Sequence, residues 1–572
     1  MLLDPRRGDI EDDAASPGQR SLLKIAGSLL VEISLPKLVV AWAFLLLLPS
    51  LLLGLAPLVA SAWFASLSAH ARAVTELGAA LALVAIAGLG WIGWRPLLRI
   101  AETNFWSLNA LAIQPSYAFA REALRHLVER AWRKVTPAFR TQLRRACSLG
   151  AGVTLSAVAA LIAALAWPAS RWTANLHELA LLHHLVVPML ANAVVLVSCY
   201  LAVASLAWSM ADASMDQPVD LAAFDAMPSG ASVWRVAHLS DLHTVGERYG
   251  FRIESGRGGP RGNQRLASVL ARLAAIHAAD PLDHVLITGD MTDAGRPSEW
   301  AELLDALSRH PELAARTIML PGNHDLNIVD RANPARLDLP FSLGKRLRQL
   351  RTLSAITAVQ GDRVRIVESS GKLSTTLLQA LTPYRERITG VAESGGLFPA
   401  AALRQVFDDQ FPMILPPDRD DGLGIAILNS NAETHFSFTN ALGLVSDAQM
   451  RRLDTAIRQY PQACWIIALH HHLIEYPMAV KAFSERVGTA LINGSWFVRR
   501  LQAFAGRSIV MHGHRHVDWI GECGVLRIIS APSPVMSAGD DVTTHFYIHQ
   551  MAKGPDGRLC MAEPERVEIA GS

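Results

Sequence analysis

Five short polar clusters divide the C-terminal half of this chain, and each follows an apolar run of strand length. They are Asp241-Leu242-His243, Gly289-Asp290, Gly322-Asn323-His324-Asp325, His470-His471-His472 and His512-Gly513-His514-Arg515-His516. The preceding runs (233–239, 284–288, 317–320, 464–469 and 508–511) are predicted as buried strands. Strands that deliver carboxylate, imidazole and amide groups to one point match the layout of an open α/β sheet, whose ligands bind beyond the carboxyl ends of its strands. Helical patterns over 263–277, 298–308 and 447–459 alternate with these runs, which predicts an α/β fold with parallel pairing and helices on the sheet faces.

The residue types within the clusters suit cations. Asp241 and His243 stand two positions apart, so in extended backbone their side chains share a side and can grip one ion together. Asp290 has two carboxylate oxygens and can bridge two ions. Asn323 offers a neutral amide oxygen, which limits negative charge around a second ion. His514 and His516 again share a face, and Gly513 lets the backbone pass close by. A lone Asp-x-His is commonplace, but five clusters that each close an apolar run point to a dinuclear metallohydrolase.

The N-terminal half is of another kind. Hydrophobic residues make up 51% of the 572-residue chain, and the excess lies before about Met210. The stretches 38–64, 77–94, 149–167 and 185–208 hold no Asp, Glu, Lys or Arg. Each is near the ~20 apolar residues that cross a bilayer. Four membrane helices are predicted, the first interrupted by Pro49 and Pro57 and so either kinked or folded as a tight hairpin. The N-terminus mixes charges of both signs without a signal-peptide layout, so no cleaved leader is expected.

The loop between the second and third spans is arginine-rich, including Arg95, Arg99, Arg121, Arg125 and Arg130, whereas the opposite loops hold little more than Arg72 and Arg171. Positive charge accumulates on the cytoplasmic side, which would place this loop, both termini and the metal-binding half in the cytoplasm, against an inner membrane of bacterial type. Within the loop, Ala120, Leu124, Leu127, Val128 and Trp132 fall on one side of a basic helix. Such a helix suits either anionic headgroups or a solvated helical hairpin. The four stretches carry no ionisable residue, which disfavours a transport pathway. The five cysteines are widely spaced and form no CxxC pair, as suits a reducing compartment.

Three regions follow: a membrane region over 1–215, a connector over 216–232 containing Pro218, Pro228 and Gly230, and a catalytic region over 233–565. The stretch 326–421 breaks the strand-helix rhythm and is expected to be a mainly helical insertion that caps the site. A fragment beginning near Ala231 is expected to be soluble.

The series Asp-x-His, Gly-Asp, Gly-Asn-His-Asp, His and Gly-His-x-His resembles the calcineurin-like metallophosphoesterase superfamily, from about Val233 to Met551. Thr288-Gly289-Asp290-Met291-Thr292-Asp293-Ala294-Gly295 with Glu299-Trp300, and Leu428-Asn429-Ser430-Asn431 followed by Gly443, Ser446, Gln449 and Leu453, are similar to the branch containing bacterial class III cyclic-nucleotide phosphodiesterases. The resemblance implies a four-layer α/β/β/α sandwich with two divalent ions (Mn, Fe, Zn or Co) at one end. Carried over, one ion would be held by Asp241, His243, Asp290 and His516. The other would be held by Asp290, Asn323, His514 and one histidine of the 470–472 run: His470 by distance from its strand, or His471 in the alternative register. Leu473 follows that run where the family often has proline.

His324 matches the family residue that protonates or stabilises the leaving oxygen. The ions, roughly 3.5–4 Å apart, acidify a bridging water for in-line attack. Arg515, Asn431 and His435 are candidates for substrate contact, each with a plain structural alternative. The expected function is a membrane-anchored phosphodiesterase acting on a cyclic nucleotide, by branch, or on a lipid-derived diester, by location. A lipid pyrophosphate or phosphomonoester hydrolase, and a non-catalytic metal-binding membrane regulator, are the alternatives. Membrane lipids are expected partners; a nucleic-acid polymer is not.

Overall fold

Where water is absent an apolar segment must satisfy its own backbone groups, so long uncharged stretches fold as helices. The computed structural model describes residues 39–40, 42–72, 78, 80–89, 91–92, 114–131, 137–246, 262–329, 336–338, 342–368, 371–394, 403–477, 491–536 and 543–570. The chain divides at 215/216 into a helical unit and a catalytic unit.

In the helical unit, three helices among the described residues are long and apolar enough to cross a membrane: Leu48–Ala71, Gln142–Ala169 and Leu182–Ser214. The first runs through Pro57 as a single helix, α1 (Leu48–Arg72), so the hairpin alternative is not adopted. The expected span 77–94 lies partly outside the described residues, and its described core, Ala80–Leu89, is too short to cross. Three candidate spans are therefore seen where four were expected.

Helices α2 (Gln114–Ala131), α3 (Pro137–Ala166) and α4 (Val186–Ser214) complete the unit. Small residues set the approach of neighbours, as they do in membrane bundles. A Cβ on Gly54 of α1 would stand 1.6 Å from the Met189 carbonyl of α4, and one on Gly152 of α3 would stand 2.1 Å from Ser209 Oγ. Asn192, buried in α4, bonds through Nδ2 to the Gly54 carbonyl at 3.1 Å.

Helix α2 only partly buries the apolar side read from its sequence, with Ala120, Leu124 and Val128 half-buried. Tyr117, Glu122 and Arg125 are buried, whereas Leu127 is 62% exposed, and Trp132 lies outside the described residues. Ion pairing explains why charged residues are buried beside the apolar ones. Asp212 on α4 accepts from Tyr117 Oη at 3.0 Å and from Arg121 Nη1 at 2.7 Å, while Glu122 pairs with Arg121 at 3.0 Å.

Among the described residues the catalytic unit holds fourteen strands: β1 (Pro218–Asp220), β2 (Val233–Leu239), β3 (His284–Ile287), β4 (Thr317–Met319), β5 (Arg365–Ile366), β6 (Met413–Leu415), β7 (Leu423–Ile427), β8 (Cys464–Ala468), β9 (Ser508–His512), β10 (Trp519–Cys523), β11 (Leu526–Ser530), β12 (Thr544–Lys553), β13 (Leu559–Met561) and β14 (Glu565–Ile569). They form an eight-stranded sheet, β1-β10-β11-β9-β8-β7-β6-β5, and a six-stranded sheet, β13-β12-β2-β3-β4, with β14 on β12. A common apolar core joins them, with Val236, Leu239 and Ile287 from one sheet beside Ile425, Ile466 and Met511 from the other.

Pairing is parallel where strands alternate with helices (β2-β3-β4 and β7-β8-β9). It is antiparallel at the flanks, where β10 and β11 are joined by a tight turn and β12 to β14 close the chain. Parallel pairing therefore describes the strands that carry the clusters and not the whole fold. Helices α5 (Gly262–Ala279), α6 (Pro297–Ser308), α7 (Leu343–Gln360) and α8 (Asp447–Gln459) belong to this unit.

Two segments differ from expectation. The connector 216–232 supplies an edge strand: Pro218 to Asp220 pair with β10, Trp519 Nε1 donates to the Asp220 carboxylate at 2.9 Å, and Asp225 is ion-paired with Arg527. The 326–421 insertion contributes β5 and β6 to the large sheet and α7 to the edge of the small one. There the Gln360 side chain accepts from Met319 N at 2.7 Å and donates to Met319 O at 3.0 Å, completing the open edge of β4 as another strand would.

Candidate metal centre

Among the described residues, five non-glycine positions have left-handed backbone: Asp241 (φ 55°), His243 (φ 43°), Asp290 (φ 49°), His514 (φ 78°) and His516 (φ 52°). All five were singled out from sequence. The extended geometry expected for the two pairs is not the one adopted, because β2 ends at Leu239 and β9 at His512. Each such residue costs on the order of 1–2 kcal/mol, so the surroundings must impose it.

Main-chain bonds do so. Asp241 N donates to Gly289 O at 3.1 Å, His243 N to Asp290 O at 2.9 Å and His514 N to the Asp241 carboxylate at 3.0 Å. Two glycines permit the closeness. A Cβ on Gly513 would lie 1.8 Å from Ser240 Oγ, and Gly289 (φ 96°) would bring one within 2.4 Å of His470 Nδ1.

The side chains converge in two groups. In the first, His516 Nε2 stands 3.4 Å from Asp241 Oδ1 and 3.3 Å from His243 Nε2. In the second, Asn323 Oδ1 stands 3.0 Å from both His470 Nε2 and His514 Nδ1, which are themselves 3.1 Å apart. Asp290 Oδ2 lies between the groups, 3.3 Å from His470 Nε2 and 3.7 Å from His243 Nε2. His471 turns away, with Nδ1 2.9 Å from Ser430 Oγ.

The donor set fits a cation. His470 Nδ1 lies 2.8 Å from the Thr288 carbonyl, to which it can only donate. The Nε2 of the neutral ring is then a lone pair aimed at other acceptors, Asp290 and Asn323 among them. Mixed nitrogen and oxygen ligands of this kind suit borderline divalent ions. Asp241, His243, Asp290, Asn323 and His470 are buried, while His516 keeps 32% of its side-chain surface exposed and marks the open side.

Protonation follows from burial and proximity. Burial pushes His243 down to about 4, leaving the ring neutral and able to act as a ligand. Burial would also lower His470, but the Asp290 charge overrides it and pushes that ring up to about 9, so a proton takes the Nε2 position that a cation would claim. Burial works against the Asp290 carboxylate, yet the neighbouring His470 and His324 rings hold it well below the usual range.

His324 sits at the rim. Its backbone N–H donates to Asp290 Oδ1 at 2.8 Å, and its ring Nδ1 lies 2.7 Å from the Asp293 carbonyl. Arg515 is ion-paired with Glu475 at 3.1 Å over the Tyr476 ring. Asn431 donates to the Pro321 carbonyl at 3.0 Å, and His435 Nδ1 lies 3.0 Å from the Asp338 carbonyl.

Sequence reading missed two carboxylates. Asp293 Oδ1 lies 3.4 Å from His243 Nδ1, so it can orient that ring. Asp325, pushed up to about 7 by burial and by the Asp290 charge, accepts from Thr292 N at 2.9 Å, Thr292 Oγ1 at 2.6 Å and Gly322 N at 2.8 Å. Both were visible beside the clusters, as Gly289-Asp290-Met291-Thr292-Asp293 and Gly322-Asn323-His324-Asp325, but neither closes a strand.

An α/β unit with such residues at its strand ends belongs to the class of metal-dependent phosphoester hydrolases. Residues 235–518 match the calcineurin-like phosphoesterase family and form a domain of it. No curated protein matches the chain. Similar solved structures include a Staphylococcus aureus protein assigned to the 5′-nucleotidases (13% identity, 60% of this chain and 55% of that one, TM-score 0.31). A dimetal phosphatase from Danio rerio is also similar (13%, 59% and 99%, 0.33), as is the NAD nucleotidase of Haemophilus influenzae (11%, 59% and 57%, 0.28). The chain thus spans little more than half the length of the Staphylococcus and Haemophilus proteins.

Proposed function

We propose that this protein is a membrane-anchored phosphodiesterase with two divalent ions, Mn, Fe, Zn or Co, in its catalytic unit. Asp241, His243, Asp290 and His516 would hold one ion, and Asp290, Asn323, His470 and His514 the other. The observation that carries the reading is the Asp290 carboxylate, whose Oδ2 is within 3.7 Å of one group and 3.3 Å of the other. Bound there, such ions would supply Lewis acidity, orienting phosphoryl oxygens and offsetting developing charge.

The chain's own part is placement and proton transfer. Asp293 and the Thr288 carbonyl orient His243 and His470. His324, beside the group and not within it, would donate a proton to the departing oxygen. Diester preference is supported by the sequence resemblance to class III cyclic-nucleotide phosphodiesterases, and lipid-derived diesters by the candidate membrane helices. The arginine-rich loop supports a cytoplasmic catalytic unit.

The test is hydrolysis of bis(p-nitrophenyl) phosphate against p-nitrophenyl phosphate by metal-loaded protein, with Asp290→Asn as control. Metal-dependent preference for the diester, lost in the variant, is expected. A monoester preference would replace the reading with a phosphatase. Silence on both would favour a lipid pyrophosphate substrate or a regulator without catalysis.

A further inference from the structure

Helix α7 of the insertion carries none of the candidate ligands, yet one of its faces is spent on the turns that do. Arg348, Arg351 and Thr352 are spaced i, i+3 and i+4, hence on one face, and all three are buried. Each donates to a main-chain carbonyl: Arg348 Nε to Leu326 at 3.2 Å, Arg351 Nη1 to Gly295 at 2.9 Å and Thr352 Oγ1 to Asp325 at 3.1 Å. These carbonyls lie in the two segments that follow β3 and β4, which bear Asp290 with Asp293 and Asn323 with His324. The Asp325 carboxylate ties the segments together through Thr292 and Gly322.

The seating is close. Gly295 is left-handed (φ 69°), and a Cβ there would come within 2.6 Å of the Asp325 carbonyl and 3.2 Å of Arg348 Cδ. Arg348 is itself held by an ion pair with Asp338. The turn ending at Gly295 begins at Asp293, whose carbonyl lies 2.7 Å from His324 Nδ1. A chain of contacts therefore runs from Arg351 through Gly295 and Asp293 to the His324 ring.

We propose that Arg351 is a positioning residue for His324: by holding the Gly295 carbonyl it fixes the 293–295 turn, whose Asp293 carbonyl orients the His324 ring. The insertion thereby governs the leaving-group proton donor from beneath. This inference rests on the reading of His324 as proton donor. Arginine suits the task because its guanidinium is rigid and planar, whereas lysine offers a flexible point charge. Misplacement of a reacting group by about 1 Å can cost on the order of 100-fold, so a loosened turn is enough.

The full-length, metal-loaded protein and its Arg351→Met, Arg351→Lys and His324→Ala variants are assayed on bis(p-nitrophenyl) phosphate and on diphenyl phosphate. The phenolate of the second leaves less readily and needs the proton more. Metal content and melting temperature are measured alongside. Arg351→Met is expected to lower kcat on diphenyl phosphate about tenfold more than on bis(p-nitrophenyl) phosphate, with metal content unchanged. Arg351→Lys is expected to recover only part of the loss, and Arg351→Met on a His324→Ala background to add nothing.

Equal slowing on both substrates, or full additivity with His324→Ala, would overturn the proposal while leaving the donor role of His324 intact. If His324→Ala itself slows both substrates equally, the donor role fails and the inference falls with it. Should Arg351→Met fail to fold, Arg351→Lys carries the same test with a smaller selective loss, and equal slowing of both substrates by it would equally overturn the proposal.

Discussion

Apolar side chains face outward in the helical unit and inward in the catalytic unit. Leu165 of α3 is 73% exposed and Val203 of α4 69%, whereas Leu239, Ile287, Ile427 and Met511 are fully buried strand residues. In the first unit hydropathy marks the surface, so cohesion falls to small residues such as Gly54 and Gly152 and to polar bonds such as those of Asn192. In the second it marks the core, and the candidate metal ligands are the polar residues at which buried strands stop. The same composition thus gives helices apolar enough to cross a membrane in one half and a scaffold in the other.

The division is tested most severely by Asp290→Asn. Diester hydrolysis by the full-length protein is expected to fall by at least ~100-fold, since even groups that only orient metal ligands are worth roughly 10–100-fold. The variant is expected to fractionate with membranes as the wild type does. Retained turnover would show that the chemistry does not sit at the strand ends.

A smaller effect concerns where the catalytic unit begins. A fragment over 216–572 is expected to fold, and one over 231–572 to be less stable by roughly 2–4 kcal/mol, at about 1 kcal/mol for each lost hydrogen bond of β1 and Asp225. Urea unfolding of the two fragments measures the difference. Equal midpoints would return 216–230 to the status of a connector.

Acid should separate the units further. Burial pushes His549 in the catalytic unit from 6.5 down to about 3, so the unfolded chain takes up its proton first. Its stabilising contribution is whole above about 6.5 and is lost as pH falls toward about 3, by roughly 1.4 kcal/mol per pH unit. His549→Phe should flatten the fall in melting temperature of metal-free protein between pH 6.5 and 4. An unchanged slope would assign the acid lability to other groups.

The smallest expected effect on catalysis comes from Gly54→Val. The added side chain would collide with the Met189 carbonyl and loosen α1 from α4. Turnover of bis(p-nitrophenyl) phosphate in detergent should stay within about twofold of wild type, as independent folding units respond independently. A larger loss would show energetic coupling between the units and break the comparison.

Much of the candidate site was legible because its residues announce themselves by type and place. Asp241, His243, Asp290, Asn323, His324, His470, His514 and His516 all follow apolar runs, and the fold brings all eight together. Their backbone was not legible: alternation assumed extended geometry, whereas left-handed turns do the aiming. Asp293 and Asp325 escaped notice because their roles arise only where the β3 and β4 turns touch. The buried side of α2 escaped for a related reason, since its partner Asp212 lies 91 residues from Arg121.

The sequence by itself determined the division into a helical and an α/β half, the strands bearing the clusters, and the residues able to ligate a cation. These are consequences of local periodicity and of side-chain chemistry. Tertiary structure alone decided that His470 and not His471 faces Asp290, that Pro218–Asp220 becomes an edge strand, and that α7 supports the turns around Asp290 and Asn323. Each depends on which distant groups meet in space, and side-chain type and spacing do not encode that meeting until the chain has folded.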